Sequence, residues 1–401
     1  MSDQPAEKPP PTSPEPVAPA RRDRWRALLL NLALVAGSVF VAGVVAEAAV
    51  RVVMPQQLIL IRPDIWQAVD SVGYVHRANV NTSVNTGERT VRFVTDRDGF
   101  RVARTGRVEG AKSVLLLGDS FMEALQVEHE QSLPGLLEAR LPSVVGARVA
   151  VRNAANGGWG PDQYLIRTRT LLARDAYDLV IVALYVGNDA VPFRTAYIPP
   201  RIPVERYRFR IPASLSWGGL VDAIARPIND MLEVRSHLYV LMKNQMQTWR
   251  MRLGLTQAYF PVVFRTSDAA SPRWLVTGEL CRDIAAAAAV YDVPVLFVLV
   301  PTSYQTDPAA FSRYVRGFDI DLSTVDLEQP TRLIGDALRG WGLQVIDVLS
   351  EFRERRAAEP ATPLFGSVDA HLSPAGHDLL AELVLPSVAA ALGTVRHPGD
   401  R

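Results

Sequence analysis

Cysteine is almost absent from this sequence. Cys281 stands alone among 401 residues, so no intrachain disulfide can form and no CxxC zinc or redox motif exists. A lone cysteine reports nothing about the redox compartment, and Cys281 reads as a small apolar core residue. Net charge is equally scant: 43 Lys+Arg against 42 Asp+Glu leaves +1. The arginines are scattered among acids, without the basic bias of a nucleic-acid binder, so no nucleic-acid partner is expected. Histidine is too sparse for a metal centre: His371 and His377 have no second ligand cluster to join them, and neither metal nor cofactor is expected. Internal repeats are also lacking. Apolar residues make up 48% of the chain, enough for a sizeable core in one large domain with accessory segments.

The N-terminus divides by composition. Residues 1–26 begin with a Pro-, Ser-, Glu- and Ala-rich tail that cannot bury enough apolar surface to order itself, and end in Arg21, Arg22, Arg24 and Arg26. A continuous apolar run follows within residues 27–50, interrupted only by the uncharged Asn31 and Ser38. About twenty such residues are what a helix needs to cross a bilayer. Arginines before the run and a sparse flank after it (Glu47, Arg51) predict a cytoplasmic N-terminus, with the remainder periplasmic or extracellular. A cleaved signal peptide is the competing reading, because Ala46-Glu47-Ala48 has the small-x-small form. The long apolar region and the tail ahead of it favour an uncleaved anchor.

Residues 51–111 read as an irregular, partly β lead-in, with alternation at Thr90-Val91-Arg92-Phe93-Val94 and a turn at Asp98-Gly99. From Lys112 the pattern changes. Apolar strand candidates at 113–119, 148–154, 178–186, 293–300 and 343–348 alternate with helical stretches at 132–141, 162–174, 275–290 and 330–340, before a last helix from Pro374 to Leu392. Continuous apolar strands separated by helices predict a parallel sheet covered on both faces. Five of them suit a flavodoxin-like three-layer α/β/α architecture over residues 112–392, whose functional residues sit just past the strand ends. Two segments, about 190–270 and 302–328, fall outside the alternation. The first is rich in aromatic residues and Arg, and is either a lid or substrate platform or an accessory packing layer.

Three strand ends and one C-terminal segment carry polar residues with chemical potential. The first strand runs into Gly118-Asp119-Ser120, a hydroxyl at a strand-to-helix turn where a helix N-terminus would favour negative charge. A simple helix cap has the same residues. The second ends in Asn153-Ala154-Ala155-Asn156-Gly157-Gly158, where glycine lets a backbone N–H approach a ligand. The third ends in Gly187-Asn188-Asp189, and an Asn there can offer its amide to an oxyanion. Near the C-terminus, Asp369-Ala370-His371 supplies a candidate general base with an acid to orient its ring, which is what a weak serine nucleophile requires. His377, about one turn into the final helix, reads as structural.

Taken jointly and in order, the phrases LLLGDSFMEALQV, YVGNDA and DAHLSPAGH resemble the conserved blocks of the SGNH (GDSL-type) serine hydrolases, and especially their bacterial membrane-anchored members, over residues 112–392. The resemblance implies Ser120, His371 and Asp369 as catalytic residues, and an oxyanion hole from Ser120, Gly158 and Asn188. Two departures stand. The commonest family spacing is D-x-x-H, where this chain has D-x-H and Val368 at the usual acid position; relatives acting on polysaccharide acyl groups share the D-x-H form. Adjacent glycines occupy the second block, and Gly158 fits its pattern better than Gly157. The implied activity is hydrolysis of an O-acyl ester, acetyl-type, on an extracytoplasmic glycan or lipid-like substrate. An O-acyltransferase of cell-envelope or exported polysaccharide, and a catalytically silent glycan-binding module, are the alternatives.

Overall fold

The computed structural model describes residues 21–54, 56, 58, 64–103, 106, 108–110, 112–191, 225–233, 235–253, 261–309, 311–312, 315, 320–367 and 370–394. The chain divides into two compact units, residues 1–54 and 55–401.

In the first unit, α1 (Arg21–Val53) is one continuous helix. Its stretch Leu28–Val53, 26 residues with none of its most apolar window buried, is long and apolar enough to cross a membrane by length and composition. At 1.5 Å per residue it reaches roughly 39 Å, beyond the ~30 Å hydrocarbon core.

The second unit is built on a five-stranded parallel sheet. Its strands are β5 (Lys112–Leu117), β6 (Val149–Asn153), β7 (Leu179–Tyr185), β8 (Val295–Val300) and β9 (Val345–Asp347), in the spatial order β6-β5-β7-β8-β9. This is the flavodoxin-like order 2-1-3-4-5. All four pairings are parallel. Side chains alternate between two cores as the period of a strand requires. Leu115 and Leu117 face one core; Val114 and Leu116 face the other.

The first core is closed by α4 (Pro161–Leu172), α7 (Arg273–Ala289) and α9 (Gln329–Gly340). Cys281 lies wholly buried in it, on α7. The second core is closed by α3 (Leu133–Val145), α10 (Leu349–Ala358) and α11 (Pro374–Thr394). α10 has no counterpart in the sequence reading, because its apolar stripe is reduced to Leu349 and Phe352 among charged residues. α11 is also apolar enough to span a bilayer, but Leu379, Leu380, Val384, Val388 and Leu392 are spent on this core.

The lead-in consists of two antiparallel hairpins, β1 (Trp66–Val69) with β2 (Gly73–His76), and β3 (Asn81–Asn85) with β4 (Thr90–Val94). Trp66, Val72, Tyr74, Val84 and Phe93 belong to the same core as Leu115 and Leu117, so the lead-in has no separate interior. Gly99 turns there with φ +81°, and a Cβ on it would meet the His76 carbonyl oxygen at 2.7 Å. Of the insertion, residues 192–224 lie outside the described residues; α5 (Arg226–Glu233) and α6 (His237–Arg252) follow. Between β8 and α9, α8 (Ser303–Thr306) is a single capped turn.

Candidate active site

The sheet delivers three of the singled-out residues to one edge. Ser120 follows β5, Gly158 follows β6 and Asn188 follows β7, each a few residues beyond the carboxyl end of its strand. Because β5 lies between β6 and β7, the three loops are neighbours. This is where ligands bind in open α/β sheets.

Ser120 opens α2 (Ser120–Glu123), which is a single turn closed by Ala124 in the left-handed conformation. A turn of four residues has little macrodipole, so the expectation that a helix N-terminus would hold negative charge here is not met. The turn is nonetheless firmly built. Asp119 caps it by accepting a 2.9 Å hydrogen bond from the Phe121 N–H. Phe121, Met122 and Glu123 are all buried, leaving Ser120 half-buried at the surface of the turn.

His371 arrives from the far end of the chain. Its Nε2 lies 2.7 Å from Ser120 Oγ, across a separation of 251 positions. Two devices fix it. The preceding segment folds back on the His371 loop: Gly366 N–H donates to the His371 carbonyl at 2.9 Å, and Ser373 N–H to the Leu364 carbonyl at 3.0 Å. Gly376 then lets the start of α11 press on Leu364, since a Cβ there would stand 2.1 Å from that carbonyl oxygen. The imidazole also lies 4.6 Å from the Phe121 ring, which is stacked on Tyr185 at 3.8 Å. Asp369, the expected acidic partner, lies outside the described residues. His377 is buried and accepts from the Leu133 N–H at 3.4 Å. Burial, with Arg101 and His371 adding to it, pushes its pKa down from 6.5 to about 3, so it is a neutral packing residue.

Asn188 is exposed, and its Nδ2 points toward Asp119 Oδ2 at 3.4 Å, a long contact that leaves the amide available. Gly158 is exposed as well and has φ +77°, a conformation that glycine alone adopts without strain. Gly157 packs close to the nucleophile turn; a Cβ there would meet Glu123 Oε2 at 2.7 Å and Ser120 Cβ at 3.4 Å. The Gly157 N–H is already committed to Glu123 Oε2 at 3.0 Å. Of the two adjacent glycines, it is therefore Gly158 whose amide is not tied to that carboxylate.

Two buried acids stand behind the site. Burial raises the Asp119 carboxyl from 3.8 to about 6, against the opposing pull of the Phe121 amide, His371 and Asn188. Burial, and then Asp119, push Asp189 well above the usual carboxylate range. Asp189 accepts from the Tyr185 N–H at 2.9 Å and from the Tyr164 hydroxyl at 3.2 Å. It thereby fixes the turn that presents Asn188. Among the described residues, no group of three or more His, Cys, Asp or Glu could hold a metal ion.

Three contributors to the site escaped sequence reasoning: Phe121, which backs the imidazole, and Glu123 and Tyr74, which touch Gly157. A glutamate inside the apolar run Phe121–Leu125 was the available signal.

No family model and no curated protein matches the sequence. Among solved structures, the chain is similar to TesA at 16% identity, with 70% of this chain and 99% of that one covered and a TM-score of 0.37. It is similar to a lipolytic protein of the G-D-S-L family from Veillonella parvula at 11% identity, with 69% and 97% covered and a TM-score of 0.35. It is also similar to the acetyl xylan esterase AlAXEase at 13% identity, with 69% and 99% covered and a TM-score of 0.38.

Proposed function

We propose that this chain is a serine esterase of the GDSL/SGNH type, held at a membrane by its N-terminal helix. The observation that carries the reading is the 2.7 Å contact between Ser120 Oγ and His371 Nε2 at the carboxyl edge of the sheet. A hydroxyl needs such a base to become a nucleophile at neutral pH. Gly158 and Asn188, exposed on the flanking loops, support the second requirement, donors for a developing oxyanion.

In the reaction, His371 Nε2 takes the Ser120 proton as Oγ attacks the acyl carbonyl. The carbonyl oxygen becomes an oxyanion held by the Ser120 and Gly158 amides and the Asn188 side chain. Collapse breaks the bond to the leaving oxygen, which collects the proton from imidazolium and departs as an alcohol. Acyl-Ser120 remains. Water, deprotonated by His371, then attacks the acyl carbon; the bond to Ser120 Oγ breaks, Oγ recovers its proton from the imidazolium, and the carboxylic acid leaves. Asp369 is assigned to orient the His371 ring. A sugar hydroxyl in place of water would make the same intermediate an O-acyltransferase.

The substrate is an acylated compound of carbohydrate or lipid-like type outside the cytoplasm. The apolar stretch Leu28–Val53 and the arginines ahead of it in α1 support that topology.

The test uses the full chain in detergent with a fluorophosphonate probe and a short-chain aryl ester. Labelling and turnover should both vanish in Ser120→Ala. Acetate release in water, set against acetyl transfer to added oligosaccharide, separates esterase from transferase. A folded wild-type chain that is never labelled and turns over nothing would overturn the reading in favour of a silent glycan-binding module.

A further inference from the structure

Glu123 lies three residues past Ser120 and is 1% exposed. Two N–H donors and a histidine ring nitrogen converge on its carboxyl group. Trp66 Nε1–H reaches Oε1 at 3.1 Å, His76 Nε2 reaches Oε1 at 2.6 Å, and the Gly157 N–H reaches Oε2 at 3.0 Å. Both oxygens of the carboxyl group are thereby engaged, one by β1–β2 and one by the loop after β6. The Tyr74 hydroxyl donates to the carbonyl of the same Gly157. Both polar groups of the Gly157 backbone are thus fixed, one by Glu123 and one by the β2 tyrosine.

The same upstream segment grips the nucleophile turn from below. Arg101 is fully buried, and its guanidinium donates to the carbonyls of Glu123 and Val127 at 2.6 Å each, and to that of Ala124. Residues 66, 74, 76 and 101 all precede the first strand of the sheet, yet each ends on α2 or on the loop after β6.

We propose that Glu123 is a positioning residue of the oxyanion loop, and that the lead-in hairpin β1–β2 is the brace through which it acts. Gly157 is the fixed point. With its N–H and C=O both held, the next peptide unit carries the Gly158 amide at a set height beside Ser120. The tyrosine and the carboxylate hold opposite ends of one residue, so they act on one degree of freedom. The proposal rests on the esterase reading for its effect on turnover, but the pinning of the loop stands on the hydrogen bonds alone.

The test compares full-chain wild type, Glu123→Gln and Tyr74→Phe in detergent. Both substitutions keep side-chain volume; Tyr74→Phe removes the hydrogen bond to the Gly157 carbonyl, and Glu123→Gln leaves one acceptor oxygen where the carboxylate offers two to Trp66, His76 and Gly157. Each should lower kcat on the aryl ester by about tenfold to a hundredfold, the loss that a misplacement on the order of 1 Å produces, with KM changed less than about twofold. The double variant should lose less than the product of the two single losses, because both hold the same residue. Amide hydrogen exchange across residues 154–160 should quicken in both variants while the sheet strands keep wild-type protection. Unchanged kcat in variants of an active wild type would overturn the proposal, as would a kcat loss tracking only the loss of folded protein. If wild type itself turns over nothing, the esterase reading fails, and exchange alone decides. Unaltered exchange at 154–160 then overturns the pinning, and quickened exchange upholds it. Should Glu123→Gln fail to fold, Tyr74→Phe carries the same comparison.

Discussion

Ser120 Oγ and His371 Nε2 stand 2.7 Å apart, although 251 positions separate them in the chain. The hydroxyl is held by a capped turn on β5, and the imidazole by a loop bonded to residues 364–366. Two separately anchored groups that meet at hydrogen-bond distance form a unit, and units fail as wholes. His371→Ala should therefore lower kcat by at least about a thousandfold, close to the loss in Ser120→Ala. Steady-state hydrolysis of an aryl ester measures it, and the double variant should be little worse than either single one.

Asn188→Ala removes an exposed side chain whose amide approaches Asp119 Oδ2 at 3.4 Å. Stability should change by less than about 0.5 kcal/mol, as at surface sites without special roles. If the amide is an oxyanion donor, kcat should fall by about a hundredfold to a thousandfold at near-constant KM. Thermal melting and steady-state kinetics on one preparation separate the two effects.

Asp119 and His377 predict opposite responses to pH. The Asp119 carboxyl is raised from 3.8 to about 6, so the unfolded chain loses this proton first. Its contribution to stability is full below about pH 3.8 and is lost as pH rises through about 6, by on the order of 3 kcal/mol. His377 is depressed from 6.5 to about 3 by burial, so its contribution is full above about pH 6.5 and is lost as pH falls toward 3. Asp119→Asn should flatten the first dependence and His377→Gln the second. Denaturation midpoints at pH 4, 5, 6 and 7 for the three chains give both slopes.

The sole cysteine offers a test of topology. Cys281 is fully buried in α7, so the folded wild-type chain should resist a bulky maleimide. Glu351 is exposed on α10. In Glu351→Cys, a membrane-impermeant maleimide should label intact cells before lysis if the catalytic unit lies outside. Labelling only after lysis would reverse the orientation.

Much of this fold was legible because a parallel sheet buries both faces of every strand. Runs such as Leu179–Tyr185 are apolar throughout and need no partner to be recognised. The strand-end positions of Ser120, Gly158 and Asn188 followed from that reading, and the structure brings Ser120 and His371 into contact. What stayed hidden depends on contacts that no local pattern encodes. Trp66, Tyr74 and His76 look like ordinary hairpin residues until the hairpin folds onto Glu123 and Gly157. The shortness of α2 was hidden too, because Ala124 adopts φ 55°, a conformation its side chain does not advertise.

Lys112 opens β5, and its buried ammonium donates to the Leu392 carbonyl at 2.8 Å, in the last turn of α11. A cation on unsatisfied terminal carbonyls is a favourable helix ending, and here it clasps the first strand of the sheet to its final helix. The clasp gives synthesis a direction. Until residue 392 has left the ribosome, the first strand of the sheet has no partner for its charge, and the second core lacks one of the three helices that close it. A chain delivered through a membrane while still being translated would cross open and close only on the far side.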